Sequence, residues 1–141
     1  MGSRATSYRL DAAVKARLEA RAAAEAIRER ALLERLITEG LDTIDHPGIV
    51  YRDGPTGRRA ALAVGPDVWE VASALRTTTG SAERRVASLA EQFDLHEDHI
   101  RVALDFAALH REQVDPRIAA NDAAAERARR VAEARDDLMA S

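Results

Sequence analysis

The sequence has no cysteine and few aromatic residues, which excludes cysteine-based sites and a core built from aromatic side chains. Without cysteine the chain can form no disulfide, no thiolate metal site and no cysteine nucleophile. Aromatic residues make up 4% of the chain, so its core must be built from Leu, Val, Ile and Ala. No apolar run approaches the roughly 18 residues of a membrane-spanning helix, and Met1–Leu10 lacks the apolar segment of a signal peptide. We therefore expect a soluble, cytoplasmic protein without a membrane partner.

What the sequence does contain is typical of a small, mostly helical binding protein. Alanine and arginine are abundant, and 141 residues suffice for one ordinary domain or two small ones. The net charge is −3, yet the first 42 residues carry eight Lys and Arg against seven Asp and Glu. Only that segment has a positive balance, and the bias is too slight to indicate DNA binding by itself.

The first forty or so residues are patterned as a short strand followed by two helices. Thr6–Leu10 alternates polar and apolar side chains, and Asp11 after it is a good residue for a helix N-cap. Apolar residues then recur in two helical stripes, whose phase changes between Ala26 and Ile27. The pattern predicts a strand, a helix, a turn and a second helix.

A strand this short is unstable alone, because its backbone groups are unpaired and its apolar side chains are uncovered. Pairing two copies antiparallel across a twofold axis would bury Tyr8 and Leu10. The same pairing would leave Ala5, Ser7 and Arg9 together on the opposite face. A two-stranded ribbon of this width fits the major groove of DNA, so we expect a DNA-binding homodimer.

These features resemble the ribbon-helix-helix repressors of the Arc, MetJ and CopG type over roughly Arg4–Leu41. The resemblance implies an intertwined dimer, with Arg9 as the strongest base-contacting residue because a guanidinium can bond guanine in a bidentate way. Two positions depart from the family. Ala26 stands where the family has Gly, and Arg28 stands where a Ser or Thr caps the helix that holds a phosphate. The implied DNA-binding residues are Arg4, Ala5, Ser7, Arg9, Arg28 and Arg30.

Turn residues dominate the chain after Asp42 and bracket two short apolar stretches. They predict a β-hairpin closed by Asp53–Gly57. Arg58 and Arg59 are interpreted as a solvated strand end, with contact to the DNA backbone as the alternative. Helical periodicity then returns, and we expect helices near Val68–Arg76, Ala82–Phe93, His96–His110 and Arg117–Met139.

Apolar residues from Leu89 to Leu104 are spaced as two helices that meet at a sharp turn over Asp94 and Leu95. This spacing predicts a helix-turn-helix, and with the preceding hairpin it suggests a winged-helix-like domain. The second helix begins His96-Glu97-Asp98-His99. Carboxylates there would repel DNA phosphates, although they suit a helix N-terminus through the helix dipole.

The region from roughly Asp45 to Asn121 also resembles VapB-type antitoxins. The segments that carry this resemblance are His46-Pro47-Gly48, Asp67-Val68-Trp69-Glu70-Val71, Arg101-Val102-Ala103-Leu104 and Asp115-Pro116-Arg117-Ile118. Such antitoxins are encoded beside PIN-like ribonuclease toxins, so the resemblance implies a toxin partner of that kind. Antitoxins of this kind commonly neutralise the toxin with a C-terminal segment that enters its acidic, metal-binding cleft.

The last 25 residues have high helix propensity but few large apolar side chains, so they cannot bury much surface alone. Their arginines suit an acidic cleft, and a solvated helix packed on its own domain is the alternative. The candidate toxin-binding residues are Arg127, Arg129, Arg130 and Arg135.

We therefore expect a mostly α protein in three parts. Residues 1–42 form an intertwined, dimeric ribbon-helix-helix module, residues 43–116 a small α+β winged-helix-like domain, and residues 117–141 a helical tail. The expected function is that of a type II antitoxin, which binds operator DNA as a dimeric autorepressor and neutralises a PIN-like ribonuclease toxin. The alternative is a stand-alone ribbon-helix-helix regulator whose C-terminal domain senses a ligand or dimerises. Whether dimers pair further stays open.

No residues of the sequence have a recognisable catalytic spacing or an adjacent base, so we do not expect an enzyme. His96 and His99 share a helical face, but the sequence offers no third metal ligand nearby. We therefore expect neither a metal nor another cofactor.

Overall fold

A computed structural model of the single chain describes residues 2–141, which are mostly helical with one small antiparallel sheet. The chain divides into two compact units, the first ending at Asp42 and the second beginning at Thr43. In chain order the elements are α1 Ala12–Glu25, α2 Glu29–Asp45, β1 Ile49–Arg52, β2 Arg59–Leu62, α3 Val68–Leu75, α4 Ala82–Phe93, α5 Glu97–Leu109 and α6 Arg111–Ala140.

The first unit begins its helices where the sequence predicts. The Asp11 carboxylate accepts a hydrogen bond from the Ala13 backbone N–H at 3.1 Å, so the predicted N-cap of α1 is confirmed. The helix ends at Ala26, which has a left-handed φ of 54°. The Ile27 N–H then bonds the Ala22 carbonyl at 3.0 Å, closing the C-terminal turn. The turn between the two apolar stripes is confirmed.

The Ala26→Gly substitution should stabilise the protein by about 0.5–1 kcal/mol. An alanine in the left-handed conformation costs roughly 1–2 kcal/mol, which glycine avoids. The greater conformational freedom of glycine in the unfolded chain offsets part of this gain in the free energy of unfolding. Denaturant unfolding measures the change. Asp94 has a φ of 53°, so Asp94→Gly is the matched control. It should stabilise the protein less, because aspartate tolerates this conformation better than alanine. A loss of stability from Ala26→Gly would contradict the left-handed turn.

The predicted strand at Thr6–Leu10 is not formed within one chain, where these residues have no regular secondary structure. Since the strand is predicted to pair with a second copy, its formation stays a prediction.

The buried apolar core of the first unit is small and consists of Leu18, Ala22 and Leu32. Arg35 joins the two helices by donating to both Glu25 carboxylate oxygens at 3.0 and 3.1 Å. Hydrogen bonds from Arg35 and then Arg21 lower the pKa of Glu25 to about 2.

The second unit begins with the predicted hairpin, which is confirmed. β1 and β2 pair antiparallel, with Ile49 opposite Leu62 and Arg52 opposite Arg59. Helices α3, α4, α5 and α6 follow the hairpin in the chain, and Phe106 of α5 is the largest fully buried side chain. The rest of this core consists of Ile49, Ala60, Leu62, Val68, Val71, Leu89, Ile100, Ala103 and Val114.

The sharp turn between α4 and α5 is also confirmed. Asp94 ends α4 with a left-handed φ of 53°, and the Leu95 N–H bonds the Ala90 carbonyl at 2.9 Å. Leu95 is half-buried and packs against the core, while α5 begins two residues later at Glu97.

The last helix differs from the prediction, because it begins at Arg111 and runs through Pro116 instead of starting at Arg117. Pro116 is the sixth residue of α6, beyond the first turn in which proline is tolerated, so it removes one helical hydrogen bond. Val114 holds the first turn in place by burying its side chain in the core, with 4% exposure. Since His110 alone separates α5 from α6, the start of the tail is an integral part of the second unit.

Candidate nucleic-acid interface

The residues expected to contact DNA lie in two nearby segments of the first unit. Arg4, Ala5, Ser7 and Arg9 precede α1, and all four are exposed. Arg28 immediately precedes α2, and its carbonyl accepts the Leu32 N–H at 3.1 Å. Within residues 2–141, the guanidinium groups of Arg4, Arg9 and Arg28 make no ion pair. These three cations are therefore available to phosphates or bases.

Arg30 is less available, because its Nε donates to Glu34 at 3.2 Å one turn along α2. Glu29 in the first turn of α2 is a second unfavourable group, since its carboxylate would repel a phosphate at this helix N-terminus. Lys15 of α1 pairs with Glu29, and this contact raises the lysine pKa. The pairing offsets the local repulsion of a phosphate.

Beside these cations the first unit leaves an apolar face uncovered. Two grooves of about 730 and 660 Å³ open along it, and Leu10, Leu18 and Leu33 line both. The large apolar side chains left exposed in this unit are Tyr8, Leu10, Val14, Ile27, Leu36, Ile37 and Leu41. Three buried core residues are few against seven exposed ones, and an exposed apolar surface of this kind is typical of an interaction site.

The start of α5 has the charge pattern of a solvated helix end. Arg101 donates to the Glu97 carboxylate at 3.0 Å and to the Asp98 carboxylate at 3.1 Å. The His96 ring nitrogen accepts the Asp98 backbone N–H at 3.0 Å and so caps the helix. Because Glu97 and Asp98 both bond Arg101, the start of α5 offers little attraction for DNA phosphates.

The four candidate arginines of the tail are not equivalent. Arg129 and Arg130 both lie near the Glu126 carboxylate, at 2.6 and 3.9 Å. Arg127 and Arg135 make no ion pair with any residue between 2 and 141. The arrangement separates two paired arginines from two unpaired ones.

The two unpaired arginines share a face of α6 with apolar residues. At roughly 100° per residue, Arg127, Leu138, Val131 and Arg135 fall within about 80° of the helix circumference. Arg129 lies about 160° from Val131, on the opposite side. Val131 is 65% exposed and Leu138 75% exposed, so this face, which we call the tail face, is uncovered.

Two further arginine contacts were missed by the sequence analysis. Arg76, at the end of α3, forms a two-bond ion pair with Asp122 of α6 at 2.8 and 3.0 Å, which lowers the Asp122 pKa. Arg117 of α6 donates to the Thr56 hydroxyl at 3.1 Å and to the Arg58 carbonyl at 2.8 Å. These partners are 46 and 59 to 61 residues apart in sequence, so no local pattern could have indicated them.

The described residues form neither a metal site nor a membrane-spanning helix. Within residues 2–141, no group of three or more His, Asp or Glu side chains is placed to hold a metal ion. In the same part of the chain, no helix combines the length and the apolar content needed to cross a bilayer.

The chain has no significant match to a protein-family model, to a curated protein sequence or to a solved structure.

Proposed function

We propose that the protein is a homodimeric DNA-binding autorepressor that also binds and neutralises a PIN-like ribonuclease toxin. In this proposal the first unit is a ribbon-helix-helix module, the hairpin with α3 to α5 is a winged-helix-like domain, and the end of α6 binds the toxin. The observation that carries the proposal is the uncovered apolar face of the first unit beside the unpaired Arg4, Arg9 and Arg28.

A second copy of the chain is the partner that suits this face. A unit of about 40 residues rarely folds without a partner, because it buries too little apolar surface. Tyr8 and Leu10 are 82% and 42% exposed in the single chain, and a strand pairing across a twofold axis would cover both. The same pairing would satisfy the backbone groups of Thr6–Leu10 and place two copies of Arg9 on one ribbon.

DNA binding then follows from the polar side of that ribbon. Ala5 and Ser7 are small enough to let the backbone approach the groove floor, and Arg9 can reach guanine O6 and N7. Arg28, which immediately precedes α2, then contacts a phosphate beside the groove. The acidic start of α5 supports reading by the first unit alone, with the second unit used for other contacts.

The Arg9→Ala substitution should cost roughly 1–3 kcal/mol for each bidentate base contact and relax the sequence preference. Arg28→Ala should instead weaken binding to all sequences evenly and flatten the salt dependence, because a phosphate contact carries no sequence information. Gel shifts with DNA from upstream of the gene and with random DNA, each at several salt concentrations, separate the two effects.

The Arg30→Ala variant is the matched control, because its guanidinium already bonds Glu34 on the same helix. It should change DNA affinity less than Arg28→Ala does. Equal losses of operator and random DNA affinity from Arg9→Ala would contradict base reading by the ribbon.

The toxin-binding part of the proposal rests on the tail face. An exposed helix with arginines interleaved with Val131 and Leu138 can insert apolar side chains while its guanidinium groups pair with carboxylates. A PIN-like nuclease presents such carboxylates at its metal-binding cleft. A nuclease reading frame beside this gene would favour the antitoxin function over the alternative.

The alternative function, a stand-alone regulator that senses a ligand, is favoured by one observation in the second unit. An apolar groove of about 470 Å³ lies among α3, α5 and α6, lined by side chains such as Leu75, Leu104 and Ile118. A groove of that volume is within the range that accepts small molecules. Release of operator DNA by a small apolar ligand would distinguish this function from toxin neutralisation.

A further inference from the structure

A glycine occupies the interior of α2, where alanine would form a more stable helix. Gly40 is exposed and lies inside the helix, which continues to Asp45. The backbone does not require glycine at this position, because Gly40 lacks the positive φ that Gly48, Gly57 and Gly80 have. Glycine in a helix interior lowers stability relative to alanine, since the unfolded chain gains freedom from it.

The single chain supplies no packing reason for this glycine. Apart from its neighbours in α2, no atom of residues 2–141 lies within 4 Å of the point that a Cβ at Gly40 would occupy. Alanine would therefore fit there and strengthen the helix. What a missing side chain does permit is the close approach of another backbone, and within the described chain no backbone approaches.

The surface around Gly40 on α2 is apolar and exposed. At roughly 100° per residue, Leu36 and Ile37 fall within about 60° of Gly40 around the helix, and Leu41 within about 100°. Leu36, Ile37 and Leu41 are 47%, 53% and 55% exposed. Along α2, the lining of the two grooves ends at Leu36 and Ile37, so this apolar surface continues beyond them. We call these four residues the α2 face.

A stable homodimer needs more contact than the ribbon provides. A typical interface buries about 800 Å² on each partner and involves about 20–30 residues a side, whereas the ribbon offers the five residues Thr6–Leu10. The helices must therefore contribute contact area. At a twofold axis each helix meets its own equivalent, so a glycine on the axis faces a glycine and the two backbones can approach without a side chain between them.

We propose that α2 packs against α2 of a second copy, with the two Gly40 residues opposite each other at the twofold axis. The helix axes then lie at the short end of the usual range of about 8–10 Å, and the apolar side chains of each α2 face cover those of the other. This inference rests on the homodimer of the proposed function and adds to it a helix contact separate from the ribbon.

Disulfide formation at position 40 tests the contact directly, because the chain has no cysteine of its own. The full-length Gly40→Cys variant should form a covalent dimer under mild oxidation. A disulfide needs Cα atoms about 4.4–6.8 Å apart, and only closely packed helices bring them that near. Thr38→Cys is the matched control, because Thr38 is exposed on the same helix but about 160° around it from Gly40. On a non-reducing gel, only Gly40→Cys should run as a dimer.

The Gly40→Leu variant should raise the dissociation constant of the dimer at least about tenfold, because two leucines at the axis hold the helices apart. Leucine forms helix better than glycine, so an effect confined to the single chain would have the opposite sign and stabilise the protein. Thr38→Leu adds the same side chain on the other side of α2 and should dissociate as the parent protein does. Light scattering over a dilution series measures the dissociation.

The outcomes separate this contact from the homodimer itself. A dimeric parent protein, with no covalent dimer from Gly40→Cys and unchanged dissociation of Gly40→Leu, would overturn the α2 contact and leave the homodimer standing. Equal covalent dimer from Gly40→Cys and Thr38→Cys would indicate random collision and would also count against the contact. A monomeric parent protein would overturn the homodimer and the α2 contact together.

Discussion

The Ile37→Asp substitution should convert the protein from a dimer into monomers with a destabilised first unit. Ile37 is 53% exposed in the single chain and lines the groove that also contains Tyr8 and Leu10. A monomer would lose little from this change, because half of the side chain already contacts water. In the proposed dimer the second copy covers Ile37, and the substitution places a carboxylate against apolar surface.

The expected size of this effect follows from the symmetry of the dimer. Covering the exposed half of an isoleucine contributes about 1 kcal/mol, burying a carboxylate there costs about as much again, and a twofold interface contains the residue twice. A loss of about 4 kcal/mol corresponds to a roughly 10³-fold weaker dimer. Light scattering at micromolar concentration should give about twice the 15.4 kDa chain mass for the parent protein and the single mass for the variant.

Val64→Asp is the control for this experiment, because Val64 is also 53% exposed but lies in the second unit after β2. It should leave the dimer mass and DNA binding unchanged. A parent protein that is monomeric, or an Ile37→Asp variant that remains dimeric, would contradict the ribbon-helix-helix proposal.

The local features of the fold were predictable from the sequence because each depends on residues close together in the chain. The N-cap at Asp11 needs only its carboxylate and the N–H two residues later. The hairpin follows from the turn residues at Asp53–Gly57, and the α4–α5 turn follows from apolar spacing around Asp94. Such signals act within a few residues, which is the range over which sequence patterns are informative.

The start of α6 was predicted wrongly because Pro116 was read as a helix boundary. The deciding interaction is the burial of Val114 in a core whose other members lie far away in sequence. Tertiary packing outweighed the local cost of proline here. The contact of Arg117 with the hairpin was missed for a similar reason. Arg58 and Arg59 read as a solvated strand end until Arg117, about 60 residues later, is placed against them.

The two halves of α6 form one continuous helix but differ in what they contact. The first half packs on the core of the second unit, since Val114 is buried and Asp122 pairs with Arg76. The half after Asp122 carries the tail face and has its large apolar side chains exposed. A truncation that removes only residues 123–141 keeps the Arg76 contact, so it tests the tail without disturbing the core.

Reversing the charge of Arg127 and Arg135 together should weaken toxin neutralisation by about 10²-fold or more. Both lie on the tail face with Val131 and Leu138, and neither is paired within the described part of the chain. Removing one partner of a desolvated charge pair typically costs 2–5 kcal/mol, and reversal adds repulsion from the carboxylates of the cleft.

Arg129→Glu is the matched variant, since Arg129 lies on the opposite side of α6 and already bonds Glu126 at 2.6 Å. It should reduce toxin affinity far less than the double reversal, because its side chain points away from the interface. Calorimetric titration with a PIN-like nuclease, the partner that the proposal requires, measures all three proteins and the truncation of residues 123–141. Gel shifts with operator DNA should stay unchanged throughout, because the ribbon lies in the other unit. Equal toxin affinities for the parent protein and the double reversal would move the neutralising surface away from the tail face.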